Sequence, residues 1–169
     1  MKIKLENLEI QDNNIDLDKY IEFREDVKSR MEHPEWLGDF TKEDLQELLK
    51  NGSKIWIFYI NNEEVCSTMA IPARKKDMDK FELNIDFKKT IDYGPTFVSD
   101  KFRGNKLQLQ MTKFLDDFYI NKGYEYAVST IHPDNIYSIN NLLGDDFKKV
   151  GFKELKRGPR NIYSKKLKK

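Results

Sequence analysis

The stretch richest in chemistry is Val98-Ser99-Asp100-Lys101-Phe102-Arg103-Gly104-Asn105-Lys106-Leu107-Gln108, where an apolar strand end, a basic glycine turn and a helical pattern follow without a gap. A helix that begins straight after a strand offers unpaired N–H groups and the positive end of its dipole, which suits a phosphate. Gly104 lets the backbone come close to a ligand, and Arg103 and Lys106 add positive charge. An ordinary strand-to-helix turn with surface cations fits this stretch equally well. Further on, His132-Pro133-Asp134-Asn135-Ile136-Tyr137-Ser138 follows an apolar strand, with Lys148-Lys149-Val150-Gly151-Phe152 beyond it. Taken alone, Asn135 is a helix cap or a first-turn residue.

Other chemistries find less support. Asp86, Asp92, Glu32 and Glu35 could each take a proton from an ammonium group, but among 29 acidic residues a solvated surface charge is the ordinary role. His33 and His132 lie nearly a hundred residues apart, and no metal-ligand spacing is present. No Gly-x-Ser-x-Gly elbow occurs, and Gly104 belongs to no Walker or dinucleotide fingerprint. The lone Cys66 sits in a strand and cannot form an internal disulfide.

The elements that must position these residues can be read from periodicity. Met1 to Leu5 alternates as an edge strand would, and Leu17, Tyr20, Ile21, Arg24 and Val27 predict a helix over 16–30. Thr41-Lys42-Glu43-Asp44 resembles a capping box ahead of Leu45, Leu48 and Leu49, and Gly52 supplies the stop. Lys54 to Ile60 reads as a buried strand, turned by Asn61-Asn62 into Val65 to Ile71. Residues 73–90 have no clear pattern, and Tyr93 to Ser99 is another strand. A helix from Gly104 to about Asn121 shows Leu107, Met111, Phe114, Leu115 and Phe118 on one face. Tyr126 to Ile131 is a strand, Asp134 to about Lys149 a helix with a break at Gly144, and 151–155 and 161–164 a last pair of strands. The order β-α-α-β-β-β-α-β-α-β-β gives a mixed α/β sheet whose parallel crossover is the helix at 104–121.

Length and composition bound the rest. The 169 residues suit a single domain over 1–169. Lysine and arginine total 30 against 29 aspartates and glutamates, a balance that argues against nucleic acid as the main partner. The opening Met1-Lys2-Ile3-Lys4-Leu5-Glu6 is too broken for a signal peptide, and Ile55 to Ile60 is far too short to span a bilayer. A cytoplasmic protein without a membrane partner is expected.

Val98, Phe102, Arg103, Gly104, Leu107, Asn135, Ser138, Gly151 and Phe152 together resemble the GNAT superfamily of acetyl-CoA-dependent N-acyltransferases. Its signatures are an Arg/Gln-x-x-Gly-x-Gly/Ala turn after a valine-bearing strand, then an asparagine opening a helix that leads to a Gly-Phe pair. The match is specific over about 94–152 and rests on element order before that. The resemblance implies an α/β fold with a mixed, mostly antiparallel central sheet and helices on both faces. It implies an N-acetyltransferase using acetyl-CoA as co-substrate, with no metal, acting on a small-molecule or peptide amine by direct attack in a ternary complex. A non-catalytic acyl-CoA-binding or protein-interaction module on the same fold is the alternative, and a homodimer is compatible with the resemblance.

Residue by residue, the resemblance implies that backbone N–H groups of Arg103, Gly104, Asn105, Lys106, Leu107 and Gln108 hold the pyrophosphate. Phe97 and Val98 would offer main-chain groups to the pantetheine arm and thioester carbonyl, and Asn135, assisted by Ser138, would contact the arm near its sulfur. Lys106 and Gln108 depart from the pattern, standing where small residues are usual. The tyrosine expected four residues before the Gly-Phe pair is Phe147, so Tyr137 and Tyr163 are the nearest general acids; a buried structural tyrosine is the other reading of each. In the superfamily the loop holding Glu35 and Trp36 covers the acceptor site, which makes both substrate-side residues; anchoring the loop to the core is the alternative for Trp36.

Overall fold

A computed structural model describes residues 2–168. Its strands are β1 (Glu9–Gln11), β2 (Lys54–Ile60), β3 (Glu63–Pro72), β4 (Thr90–Tyr93), β5 (Phe97–Val98), β6 (Tyr126–Ile131), β7 (Lys148–Leu155) and β8 (Gly158–Lys166). Its helices are α1 (Leu17–Ser29), α2 (Lys42–Lys50), α3 (Lys75–Lys80), α4 (Leu107–Asn121) and α5 (Ile136–Leu143). The sheet runs β1-β2-β3-β4-β6-β8-β7, and β5 pairs with β3 off that path. β4 and β6 are parallel, whereas β1–β2, β2–β3, β3–β5, β6–β8 and β7–β8 are antiparallel. A parallel pair needs a long crossover, and α4 lies between β4 and β6 in the chain. This is the mixed α/β sheet that the element order implied, mostly antiparallel as the resemblance implied.

Two compact units make up the chain. The first holds the chain through Ala70 together with Gly94–Met111, and the second holds Ile71–Tyr93 with Thr112 onward. In the first, Asp16 caps α1 by accepting from the N–H groups of Asp18 and Lys19 at 3.1 and 3.2 Å. α1 then buries Tyr20, Phe23, Arg24 and Val27, the three-to-four spacing of one helix face. Both arms of the Thr41–Asp44 capping box form, at 2.9 and 3.1 Å, and α2 buries Leu45. The β2–β3 turn puts Asn61 and Asn62 at φ 47° and 66°, the left-handed pair of a two-residue hairpin whose twist matches its strands.

In the second unit, β6 and β8 carry Val128 and Ile162 into a core with Ala73, Met78 and Phe81. That core gives residues 73–90 a purpose that periodicity does not reveal: α3 and the loop after it cover the apolar face with Met78, Phe81, Leu83 and Phe87. From Val150 onward, edge strand β7 alternates between exposed and partly buried residues.

Several boundaries differ from those the sequence suggests. Met1 lies outside the described residues, and the remainder of the expected strand at 1–5 is irregular chain running into a 3-10 turn, Leu5–Asn7. Its backbone bonds to side chains instead of a neighbouring strand: the Ile3 N–H donates to Asn105 and the Leu5 N–H to Gln110. The expected strand at 93–99 is cut into β4 and β5 around Gly94-Pro95, where proline has no N–H for a ladder. The helix expected from Gly104 starts at Leu107, because Gly104 and Lys106 sit at φ 85° and 55°. The helix expected to reach Lys149 ends at Gly144, and Lys148 already belongs to β7.

Candidate functional site

In the first unit, the chain leaves β3's side through β5, where Cys66 lies opposite Val98 and Ser67 opposite Phe97. Among the described residues β3 is the only strand pairing with β5, so the other edge of Phe97-Val98 keeps its main-chain groups available. The entry to β5 is fixed by the Gly94 N–H on Met69 carbonyl at 2.8 Å and a Thr68–Thr96 hydroxyl contact at 2.8 Å. The exit is fixed by the Ser99 N–H on Val65 carbonyl at 2.8 Å. The Phe97 side chain packs into α1, 5.1 Å from the Phe23 ring and 5.8 Å from that of Tyr20.

After a 3-10 turn over Asp100–Phe102 comes the glycine turn. Gly104 at φ 85° has open space where a Cβ would stand, so conformation and not crowding requires glycine there. Lys106 takes φ 55° with a side chain present, at a cost of about 1 kcal/mol. The intrahelical ladder of α4 opens with the Gln110 N–H on the Lys106 carbonyl at 3.0 Å, leaving the amides of the preceding turn pointing out of the helix end. Arg103 and Lys106 are exposed; Arg103 has a loose ion pair with Asp100 at 3.4 Å, of a kind worth little in water. Leu107 is buried beneath the turn.

Side chains hold this turn from behind. The Asn105 Oδ1 accepts the Ile3 N–H at 2.9 Å, and its Nδ2 donates to the Phe102 carbonyl at 2.9 Å. The Gln110 Oε1 accepts the Leu5 N–H at 2.8 Å, while its Nε2 donates to the carbonyls of Asn105 at 2.8 Å and Ile3 at 3.3 Å. Gln110 was not among the expected residues, since its partners lie over a hundred positions away and no local motif marks it. The same unit contains the 3-10 turn Pro34–Trp36, in which His33 stacks on Trp36 at 4.3 Å and its Nδ1 lies 3.3 Å from Glu35. An open groove of about 560 Å³ is lined by Glu22, Asp26 and Glu64 together with Lys19, Phe23, Tyr59 and Asn62. Burial and the charge of Glu22 push the Glu64 carboxyl upward.

In the second unit, Asn135 caps α5, its Oδ1 accepting the Ser138 N–H at 3.3 Å. The Tyr137 side chain is exposed in the first turn of α5, whereas Tyr163 is buried in β8 with its hydroxyl accepting from Asn161 at 3.3 Å. Phe147 is buried, 5.8 Å from the Tyr93 ring and with the Lys165 ammonium 5.3 Å from its own. Asp92 is half-buried on β4, between Ile91 and Tyr93, which are buried and alternate away from it. Its carboxyl is pushed up to about 7, chiefly by burial and then by Asp77, against Arg157 and Arg74. Among the described residues no group of His, Cys, Asp and Glu is placed to hold a metal, and no helix is long and apolar enough to cross a membrane.

No protein-family model matches this sequence, and no curated protein matches it either. Solved structures do. An N-acetyltransferase from Staphylococcus aureus Mu50 superposes with a TM-score of 0.70 at 20% identity, over 96% of this chain and 99% of that one. An acetyltransferase of the GNAT family from Streptococcus pneumoniae gives 0.71 at 12% identity, over 96% and 100%. A GNAT superfamily phosphinothricin acetyltransferase from Sinorhizobium meliloti, in complex with AcCoA, gives 0.67 at 13% identity, over 95% and 88%. Nearly the whole length of this chain therefore takes up the fold of the GNAT acetyltransferases.

Proposed function

We propose that this chain is an N-acetyltransferase that transfers an acetyl group from acetyl-CoA to a primary amine of a small-molecule or peptide acceptor. The observation that carries the reading is the turn between β5 and α4. A strand with one unpaired edge, left-handed backbone at Gly104 and Lys106, and outward amides at a helix start form an anion cradle flanked by exposed Arg103 and Lys106. The amides of 103–108 bind the pyrophosphate of acetyl-CoA, and the free edge of Phe97-Val98 takes main-chain bonds from the pantetheine arm. The Lys106 side chain is exposed, so its length does not fill the cradle, and its ammonium adds a charge-assisted bond to a phosphate.

Transfer proceeds by attack of the amine lone pair on the thioester carbonyl. The C–N bond forms, the C–S bond breaks, and the amine gives up a proton while the CoA thiolate departs. We assign the base to Asp92, whose raised carboxyl is poised near neutrality. We assign the acid that protonates the thiolate to Tyr137, because its hydroxyl is exposed, whereas that of Tyr163 is buried and already bonded to Asn161. Asn135, which caps α5, contacts the coenzyme arm near its sulfur, assisted by Ser138. Trp36 and Glu35 face the acceptor.

Calorimetric titration with CoA and acetyl-CoA, followed by thiol release across a panel of amines and peptide N-termini, tests this reading. Binding with turnover supports it, and absence of binding to both sinks it. A second reading, an acyl-CoA-binding module without transfer, is favoured by Phe147, which is buried and has no hydroxyl. It predicts tight binding with no thiol released by any acceptor.

A further inference from the structure

Beneath β4, on the side away from Asp92, the second unit buries a compact polar cluster. The Lys165 ammonium donates to Asp116 Oδ2 at 2.5 Å, to Asp145 Oδ2 at 3.0 Å and to the Asp145 carbonyl at 2.8 Å, which uses all three of its protons. The Tyr93 hydroxyl donates to Asp116 Oδ1 at 2.5 Å. Both aspartate side chains are 9% exposed and the lysine 11%, so water can compensate little charge here. The groups facing the cluster come from every element around it: Tyr93 from β4, Asp116 and Tyr119 from α4, Asp145 from the turn after α5, and Lys165 from β8. Phe147 closes the site over the ammonium. Two carboxylates on one ammonium leave one negative charge uncompensated, and a buried unpaired charge is far costlier than a bound proton.

We propose that the Tyr93–Asp116–Lys165–Asp145 cluster is a proton-dependent latch: one proton on Asp116, hydrogen-bonded to Asp145, neutralises it and ties α4, β4, β8 and the turn after α5 together. The direction of the Asp116 titration agrees. Its carboxyl is pushed up to about 7, first by burial and then by the bond to Asp145, against Lys165 and Tyr93. The closed form therefore holds a proton that the opened form gives up above the ordinary carboxylate range. Opening becomes easier as pH rises from about 4 to about 7, and its pH dependence then levels off. Because Asp145 follows directly on α5, the latch also sets how firmly the C-terminal end of that helix is held. The cluster works whether or not the chain transfers acetyl groups.

Amide hydrogen exchange of Asp145 and Phe147, corrected for intrinsic rate, tests the latch between pH 5 and 8. In the wild type the opening constant rises by at least about tenfold from pH 5 to 7 and then flattens. Asp116→Asn, an uncharged replacement of the same shape, holds the rise to within about threefold. Asp92→Asn, which removes the other raised carboxyl of this unit, leaves the rise in place. Lys165→Met strips the cation from both carboxylates, raises the Asp116 carboxyl further and carries the rise beyond pH 7, so the idea stays open to test even if Asp116→Asn does not fold. A flat wild-type profile, an undiminished rise in Asp116→Asn, or an unchanged one in Lys165→Met overturns it.

Discussion

Gly104 and Lys106 share the left-handed region, yet substitutions there should act in opposite directions. Gly104→Ala places a Cβ at φ 85°, where space is open but the backbone is strained, so about 1 kcal/mol of stability is lost. Lys106→Gly removes a similar strain at φ 55° and gains up to about 1 kcal/mol, less the entropy that glycine adds to the unfolded chain. Thermal unfolding reads both, and titration with CoA separates strain from lost cradle charge: Lys106→Gly weakens binding despite being more stable. Tyr20 offers a second test of single-atom cost. Its hydroxyl is buried with no hydrogen-bond partner among the described residues, so Tyr20→Phe leaves stability unchanged or raises it by about 1 kcal/mol. Asp92 is the proposed base. If its carboxyl near 7 is the base, kcat/KM for amine acetylation climbs as pH rises through that value. Asp92→Asn then lowers the rate by about a hundredfold and flattens the climb; an Asn variant that retains a full pH profile removes Asp92 from the mechanism.

At the scale of elements, the hairpin between β2 and β3 rests on two consecutive left-handed asparagines. Asn62→Gly supplies the residue such a turn prefers and should add up to about 1 kcal/mol, whereas Asn62→Val, with a branched Cβ, should cost more than that. Urea unfolding of the pair checks the sign. Elements whose signal is local were legible in the sequence: β2 and β6 at their observed ends, the capping box at Thr41 with Asp44, and the asparagine turn. What stayed hidden depends on partners distant in the chain. The segment 73–89 has no period because its order comes from lying on Val128 and Ile162. The start of the chain alternates like a strand, but its amides pair with Asn105 and Gln110. The glycine turn was legible as a strand-to-helix turn because its residues are contiguous. The cluster around Lys165 was not, since Tyr93, Asp116, Asp145 and Lys165 come from four separate elements.

For the molecule as a whole, two carboxyls raised to about 7 give pH a definite sign. Asp92 and Asp116 both bind a proton more tightly when folded than when unfolded. Their contribution is therefore fully favourable below about 4, declines as pH rises towards 7, and is constant above it. Thermal unfolding across that window should show the double variant Asp92→Asn/Asp116→Asn gaining on the wild type as pH rises, with the difference levelling off above about 7. The nearly equal numbers of acidic and basic residues mean that global charge repulsion adds little to this trend. One feature also links the two ends of the first unit's sequence. Asn105 and Gln110 hold the backbone of Ile3 and Leu5 against the back of the glycine turn. The first few residues thus behave as a strap on that turn, and if the turn is the proposed anion cradle, an environment-sensitive dye on the exposed side chain of Lys4 should brighten or dim as CoA is added.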